Sequence, residues 1–259
     1  MTEKTVLYDV RDGIARITLN RADARNAISS TLMRDLTEAF VRAGSEADVR
    51  VVILTGAGTA FCAGVDLKEK GAMSGEQIAP GERPSCWRAM EACRRPIIGA
   101  INGAAITGGF ELALACDVLV ASTNARFADT HARVGVIPGA GLSQRLSRAV
   151  GIYRAKYLSL TGNFLSAEQA FAWGLVSHLV APEQLDETAL SIARDMLSVM
   201  PHMLEPYKAL IDDGFARDFA AGMDLESRRS AAHIKAMGAW KDARGAFEAV
   251  RERGRDQQA

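Results

Sequence analysis

The sequence has no excess charge of either sign, few aromatic residues and no long uninterrupted apolar run. Among its 259 residues, 31 Lys and Arg balance 31 Asp and Glu, and aromatic residues make up 6%. The missing basic excess argues against a nucleic-acid partner, and the 48% hydrophobic content argues against disorder. The length suggests a globular protein with one large domain, or one domain and a smaller appendage.

Cysteine is scarce, and its spacing matches no metal or disulfide framework. The four cysteines are Cys62, Cys86, Cys93 and Cys116. None forms a CxxC pair, and the four histidines lack zinc-finger spacing, so the sequence predicts no metal site. Reduced thiols and an N-terminus without a secretory pattern predict a cytoplasmic protein.

The most apolar stretch, residues 97–121, is interrupted by Glu111 and Asp117. A membrane span would carry these carboxylates into the bilayer at a high cost. The stretch therefore indicates a buried core, and no membrane partner is expected.

Strand and helix patterns alternate along the first two thirds of the chain. Two β-favouring runs, 6–10 and 14–19, flank an Asp-Gly turn and predict a hairpin. Ser29 and Ser30 precede a helical apolar pattern that Gly44 is placed to end. Continuous apolar runs of strand length then predict strands buried on both faces, at 49–55, 97–101 and 118–121. This alternation predicts an α/β fold with a parallel sheet, and the periodicity becomes helical beyond Gly141.

Common nucleotide and hydrolase motifs are missing. The segment 56–61, GAGTAF, lacks the third glycine of a dinucleotide-binding fingerprint, and neither GxxxxGK[ST] nor GxSxG occurs. Nicotinamide, phosphate-loop and nucleophile-elbow chemistry are therefore not expected.

Two glycine-containing turns each follow a predicted buried strand: FCAGVD at 61–66 and NGAAITGGFEL at 102–112. Such turns leave backbone N–H groups unpaired, and two of them aimed at one oxygen would form an oxyanion hole with Glu111 nearby. Alternatively, the glycines only make tight connections and Glu111 lies on a solvated face.

Several segments in the same order resemble the enoyl-CoA hydratase/isomerase family, also called the crotonase superfamily. The resemblance spans nearly the whole chain and is carried by LNRADARNAIS (19–29), VVILTGAGTAFCAGVDLKE (51–69), RRPIIGAINGAAITGGFELALACDVLVAS (94–122), ARFADTHARVGVIPGAG (125–141) and LTGNFLSAEQAFAWGLVSHLV (160–180). It implies a crotonase-like ββα spiral in residues 1–190 and a helical trimerisation region in residues 191–259.

The resemblance also implies site residues. It assigns the oxyanion-hole N–H groups to Val65 and Gly108, which would bind the thioester carbonyl of an acyl-CoA. Residues assigned to binding substrate or CoA are Arg25, Ala63, Asp66, Leu67 and Lys68. For Arg25 and Lys68 the alternative is a solvated surface charge.

Hydratases of this family use two glutamates around a water molecule. The first matches Glu111, but the second position is occupied by His131. Three interpretations follow. His131 replaces the glutamate as a proton carrier; Glu111 alone transfers protons in another acyl-CoA reaction while His131 binds a polar acyl group; or His131 is a pocket wall in a non-catalytic acyl-CoA-binding protein. Asp129 is a further carboxylate whose direction the sequence does not fix.

We therefore expect an enzyme with Glu111 and His131 as catalytic residues, hydrating a trans-2-enoyl-CoA to a 3-hydroxyacyl-CoA in fatty-acid β-oxidation or related acyl-CoA metabolism. The alternatives are double-bond isomerisation, hydrolysis, or acyl-CoA binding without catalysis. No cofactor is expected, because CoA arrives as part of the substrate. The resemblance also implies a homotrimer or a hexamer, a dimer of trimers.

Overall fold

The strands form two sheets, as the ββα spiral requires. A computed structural model describes residues 4–66, 68–69, 85–237 and 243–256. The strands are β1 (Val6–Arg11), β2 (Ile14–Leu19), β3 (Val51–Gly56), β4 (Ala60–Cys62), β5 (Ile97–Ile101), β6 (Ala104–Ile106), β7 (Val118–Ser122), β8 (Arg126–Ala128), β9 (Leu165–Ser166) and β10 (His178–Val180).

The larger sheet has the order β1-β2-β3-β5-β7-β10. The predicted hairpin is confirmed, because β1 and β2 pair antiparallel around Gly13 at φ +81°, and the remaining pairs are parallel. Every residue of β3 is buried. Val52 and Leu54 face one apolar cluster while Val51 and Ile53 face a second, which explains the continuous apolar run.

The smaller sheet has the order β4-β6-β8-β9. Its parallel strands β4, β6 and β8 directly follow β3, β5 and β7 of the larger sheet, which produces the repeating ββ unit. The sequence patterns predicted only glycine-rich turns at β4 and β6. Strands of only three residues carry too little periodicity to be recognised, and tertiary pairing alone makes them strands.

The helices cover both sheets and form the C-terminal region. They are α1 (Ser30–Ser45), α2 (Ser85–Ala92), α3 (Gly108–Leu114), α4 (Leu142–Val150), α5 (Ile152–Thr161), α6 (Ala167–Ala172), α7 (Leu185–Leu197), α8 (Leu204–Phe215), α9 (Phe219–Met237) and α10 (Ala243–Asp256). The predicted α/β fold with a helical C-terminal region is confirmed.

Local capping chemistry fixes where α1 begins. The Ser29 hydroxyl accepts a hydrogen bond from the Leu32 N–H at 3.1 Å, as expected for an N-cap.

The prediction that Gly44 ends this helix is wrong, because α1 continues through Ser45 and the Glu46 N–H donates to the Arg42 carbonyl. Buried Phe40 and Ala43 hold the last turn against the core.

The chain forms two compact units, Met1–Glu205 and Pro206–Ala259. The first contains both sheets, and α7 packs on β3, β5 and β7 through Leu185, Ala189 and Ala193. Residues 191–205, which the sequence boundary at 190 assigned to the C-terminal region, therefore belong to the first unit. Residues 68–84 are polar and contain three glycines and two prolines, which predicts a loop, and the family resemblance implies that this loop lines an acyl tunnel; most of it lies outside the described residues. In the described part of the chain, no helix combines the length and apolar character needed to cross a bilayer.

Two glycine substitutions should change stability in opposite directions. Gly44 is an exposed residue of α1, and a Cβ built on it meets no atom within 4 Å, so Gly44→Ala should raise the free energy of unfolding by about 0.5–1 kcal/mol.

A Cβ on Gly109 would lie 2.0 Å from the Cys62 carbonyl oxygen, so Gly109→Ala should lower the free energy of unfolding by about 1–3 kcal/mol. Urea unfolding measures both, and a Gly109→Ala variant as stable as wild type would contradict the close packing of α3 on β4.

Candidate active site

Three neighbouring strands of the smaller sheet end at one place. Because β4, β6 and β8 run parallel, their carboxyl ends lie at the same edge of the sheet. Val65 follows β4, Gly108 follows β6, and His131 follows β8. Residues far apart in sequence are thereby brought to a single site.

The Val65 and Gly108 amides are adjacent. A Cβ built on Gly108 would lie 3.8 Å from the Val65 nitrogen, and a Cβ built on Gly64 would lie 3.7 Å from the Gly108 nitrogen. Ile28 pairs with the backbone on both sides of Val65, bonding to the Gly64 carbonyl and the Asp66 N–H. Among the described residues, no acceptor bonds to the Val65 N–H or to the Gly108 N–H, which begins α3. Two donors are therefore available to one oxygen atom.

Thr107 sets the direction of the Gly108 amide through an unusual backbone conformation. Its φ of 52° and ψ of −111° lie in a region that favours glycine and typically costs about 1–3 kcal/mol. Two contacts hold it there: its N–H donates to the Ala128 carbonyl at 2.8 Å, and its hydroxyl lies 2.5 Å from that of Thr130. The turn before α3 is thus tied to the segment that carries His131.

Glu111 lies on the first turn of α3 and is almost fully buried, at 4% exposure. Its Oε1 accepts hydrogen bonds from the Ala140 N–H at 2.8 Å and, more weakly, from the Leu142 N–H at 3.4 Å. Burial raises the pKa of this carboxyl, although the two amides and nearby His131 partly oppose the shift. A buried carboxyl whose pKa is raised in this way is a candidate for proton transfer.

His131 faces Glu111 across a short gap. Its Nε2 lies 3.8 Å from Glu111 Oε2, and its Nδ1 lies 2.7 Å from Asp129 Oδ1. The gap exceeds a direct hydrogen bond but allows one water molecule to contact both atoms. The interpretation that placed Glu111 on a solvated face is wrong, because Glu111, Asp129 and His131 are all buried.

Asp129 is held by several donors. Burial alone would raise its pKa, but hydrogen bonds from the His131 ring, the Ser159 hydroxyl and the His131 N–H outweigh burial and hold the pKa below its ordinary value. Asp129 therefore stays ionised next to His131.

Comparison with known proteins connects this geometry to a family. A sequence model described as enoyl-CoA hydratase/isomerase matches residues 9–247. The chain is 44% identical over 226 residues to a probable peroxisomal enoyl-CoA hydratase 1 of Arabidopsis thaliana, covering 87% of this chain and 84% of the relative. It is 35% identical over 232 residues to a short-chain-enoyl-CoA hydratase of Clostridium acetobutylicum, covering 88% of each. The crystal structure of an enoyl-CoA hydratase from Bacillus anthracis superposes with a TM-score of 0.84 at 37% identity, covering 96% of each chain.

The chain belongs to the enoyl-CoA hydratase/isomerase family. It is an enzyme of the crotonase superfamily and has the crotonase fold.

In this family member, the residues that the sequence assigned to substrate or CoA binding have different surroundings. Ala63 is half-buried, and its N–H donates to the carbonyl of Arg25, whose side chain is exposed. Lys68 is also exposed. Asp66 pairs with Arg21 at 2.9 Å, and that hydrogen bond lowers the pKa of the carboxyl. Leu67 lies outside the described residues.

Arg21 and Asn26 support the loop that carries Val65 in this crotonase-family member, and sequence patterns did not reveal this role. Arg21 donates to Asp66 and to the Ala27 carbonyl. Buried Asn26, at φ 56°, donates to the Ala57 and Ala60 carbonyls. Asparagine tolerates positive φ better than most residues. An Asn in a polar loop between two core segments was therefore the only sequence feature that indicated a tight turn at this position. Within the described ranges, no cluster of His, Cys, Asp or Glu is arranged to hold a metal ion.

Proposed function

We propose that this protein is an enoyl-CoA hydratase that adds water to a trans-2-enoyl-CoA and yields a 3-hydroxyacyl-CoA. The observation that carries the proposal is the 3.8 Å approach of Glu111 Oε2 and His131 Nε2 in a buried site. Relatives named enoyl-CoA hydratase over most of the chain support it. Acyl-CoA metabolism such as fatty-acid β-oxidation is the proposed setting.

The Val65 and Gly108 N–H groups form the proposed oxyanion hole. As water attacks Cβ, negative charge develops on the thioester oxygen. Two fixed donors stabilise that charge more than they stabilise the ground-state carbonyl, because the charge is larger in the transition state. Their adjacency and their lack of other acceptors among the described residues support this role.

Glu111 and His131 carry the protons in this proposal. Glu111 takes a proton from water as the water oxygen bonds to Cβ, and the His131 imidazolium gives its Nε2 proton to Cα. One water is thus added across the double bond. Return of the proton from Glu111 to His131, over the 3.8 Å between them, restores the starting state.

Arg25, Ala63, Asp66, Leu67 and Lys68 form the proposed binding site for the CoA portion of the substrate. The exposure of Arg25 and Lys68 supports contact with phosphate groups at the rim, since neither side chain must be desolvated before the substrate arrives. Asp66 contributes indirectly, because its pairing with Arg21 holds the loop that carries Val65.

A homotrimer, or a hexamer built from two trimers, is the proposed assembly. The C-terminal helix α8 supports it with an apolar stripe, defined by Tyr207, Ile211 and Phe215 at four-residue spacing, each more than half exposed. A cytoplasmic location is proposed as well, because none of the four cysteines, all of them among the described residues, forms a disulfide, which suits a reducing compartment.

Replacing the catalytic carboxylate should separate binding from turnover. Glu111→Gln keeps an oxygen that can accept the Ala140 and Leu142 amides, so the fold should persist while hydration falls about 10²-fold or more. Loss of the conjugated double-bond absorbance, followed over a panel of enoyl-CoA chain lengths, measures turnover, and calorimetry measures binding.

Unchanged turnover in Glu111→Gln would remove Glu111 from the mechanism. Wild-type protein that binds enoyl-CoA without turnover, together with turnover appearing in His131→Glu, would overturn the proposed hydratase function.

Filling the oxyanion hole should abolish activity without unfolding the protein. A Cβ on Gly108 meets neighbours at no less than 3.4 Å, so Gly108→Ala should fold with near-wild-type stability. The added methyl would lie 3.8 Å from the Val65 nitrogen, in the space proposed for the thioester oxygen, and we expect kcat/KM to fall about 10²–10³-fold. Gly44→Ala, at an exposed position of α1, is the matched control and should retain wild-type kcat/KM. A fully active Gly108→Ala variant would contradict the proposed oxyanion hole.

The assembly is tested by measuring mass in solution. Light scattering should give a trimer or hexamer, and Ile211→Glu should shift it towards a monomer by placing a charge on the apolar stripe. Val41→Glu, on an exposed position of α1, is the control that should leave the mass unchanged. A monodisperse wild-type monomer would refute the proposed assembly.

A further inference from the structure

We propose that Asp129 is a positioning residue that fixes the tautomer of His131, keeping one proton on Nδ1 so that only Nε2 exchanges protons with Glu111 and the substrate. The effect of this role on catalysis rests on the proposed function. Which nitrogen of the His131 ring carries the proton does not depend on that function.

The contact geometry assigns separate partners to the two ring nitrogens. Asp129 Oδ1 lies 2.7 Å from His131 Nδ1, and the same oxygen accepts the His131 backbone N–H at 3.2 Å. A carboxylate cannot donate, so Nδ1 must carry the proton of this hydrogen bond. Nε2 then points towards Glu111 Oε2 at 3.8 Å.

Burial makes this assignment strong. Asp129 is 3% exposed and His131 is 7% exposed, so water does not compete freely for the ring. The Ser159 hydroxyl, from α5, also donates to Asp129 and helps to keep it ionised and oriented. Among the described residues, the charged groups paired with the ring are Asp129 on its own segment and Glu111 from α3.

The proton cycle needs this arrangement. When the imidazolium gives its Nε2 proton to Cα, the neutral ring left behind keeps its Nδ1 proton on Asp129. Its Nε2 lone pair then faces Glu111 and can take back the proton that Glu111 removed from water. The opposite tautomer would keep a proton on Nε2 and could not accept one there. Asp129 therefore has the orienting role, without contacting the substrate.

The test compares wild type with Asp129→Asn. Asn removes the negative charge. Because Oδ1 alone accepts both the His131 N–H and the Nδ1 proton, the amide must place there either its oxygen, a weaker neutral acceptor, or its NH₂ group, which donates to Nδ1 and favours the opposite tautomer. Both placements weaken the preference for a proton on Nδ1. We expect kcat to fall about 10²-fold or more while KM changes little. Because the Asp129 charge helps to raise the pKa of Glu111, the acid limb of the kcat profile should also move to lower pH.

A spectroscopic measurement observes the tautomer directly. In ¹⁵N NMR of wild-type protein with a neutral imidazole, His131 should show a protonated Nδ1 and an unprotonated Nε2, and in Asp129→Asn a smaller fraction of molecules should show this pattern. Assignment is practical because the chain has four histidines, and the signal that disappears in His131→Gln identifies the residue. The wild-type spectrum alone tests the proposal if Asp129→Asn does not fold.

Asp117→Asn is the matched control. Asp117 accepts the Ile97 N–H at 2.7 Å outside the site, and Asn can keep that bond, so kcat and the His131 pattern should stay at wild-type values. A wild-type His131 protonated on Nε2, or an Asp129→Asn variant with wild-type kcat and pH profile, would overturn the positioning role. If the expected tautomers appear but wild type hydrates no enoyl-CoA, the positioning role stands and the proposed hydratase function fails.

Discussion

The parallel pairing of β4, β6 and β8 is the constraint on which the candidate site depends. Each strand has only three residues, yet their shared direction brings Val65, Gly108 and His131 to one edge of the sheet. Parallel strands need long crossovers, which the larger sheet and the intervening helices provide. The large buried core therefore serves to hold three short strands in register, and the glycines at 64 and 109 allow the close backbone approach that the register demands.

The site is built from groups that would destabilise an ordinary core. Glu111, Asp129 and His131 are buried, and the backbone at Thr107 is strained. Each is compensated by specific contacts: backbone amides for Glu111, the His131 ring and Ser159 for Asp129, and the Ala128 and Thr130 bonds for Thr107. Because the Thr107–Thr130 bond joins the turn before α3 to the His131 segment, the two parts of the site cannot move independently without breaking it.

The substitution of histidine for the second family glutamate has a local structural counterpart. A neutral histidine has two tautomers, whereas a carboxylate has two equivalent oxygens, so a histidine at this position requires a partner that selects one nitrogen. Asp129, two residues earlier and hydrogen-bonded to Nδ1, supplies that selection. Asp129 and His131 are thus best understood as one unit rather than as a single replaced residue.

The sequence by itself determined the family, the α/β class, the first hairpin, the doubly buried strands and a helix start at Ser29 or Ser30, because these depend on local spacing and on motifs read along the chain. It also identified Glu111, His131, Val65 and Gly108 as candidates. Only the tertiary structure decided that β4 and β6 are strands, that α1 passes through Gly44, and that Asp129 and Arg21 support the site. These features depend on contacts between segments distant in sequence: a three-residue strand is stable only beside its partner, and the direction of a side chain such as Asp129 is set by the groups that surround it after folding.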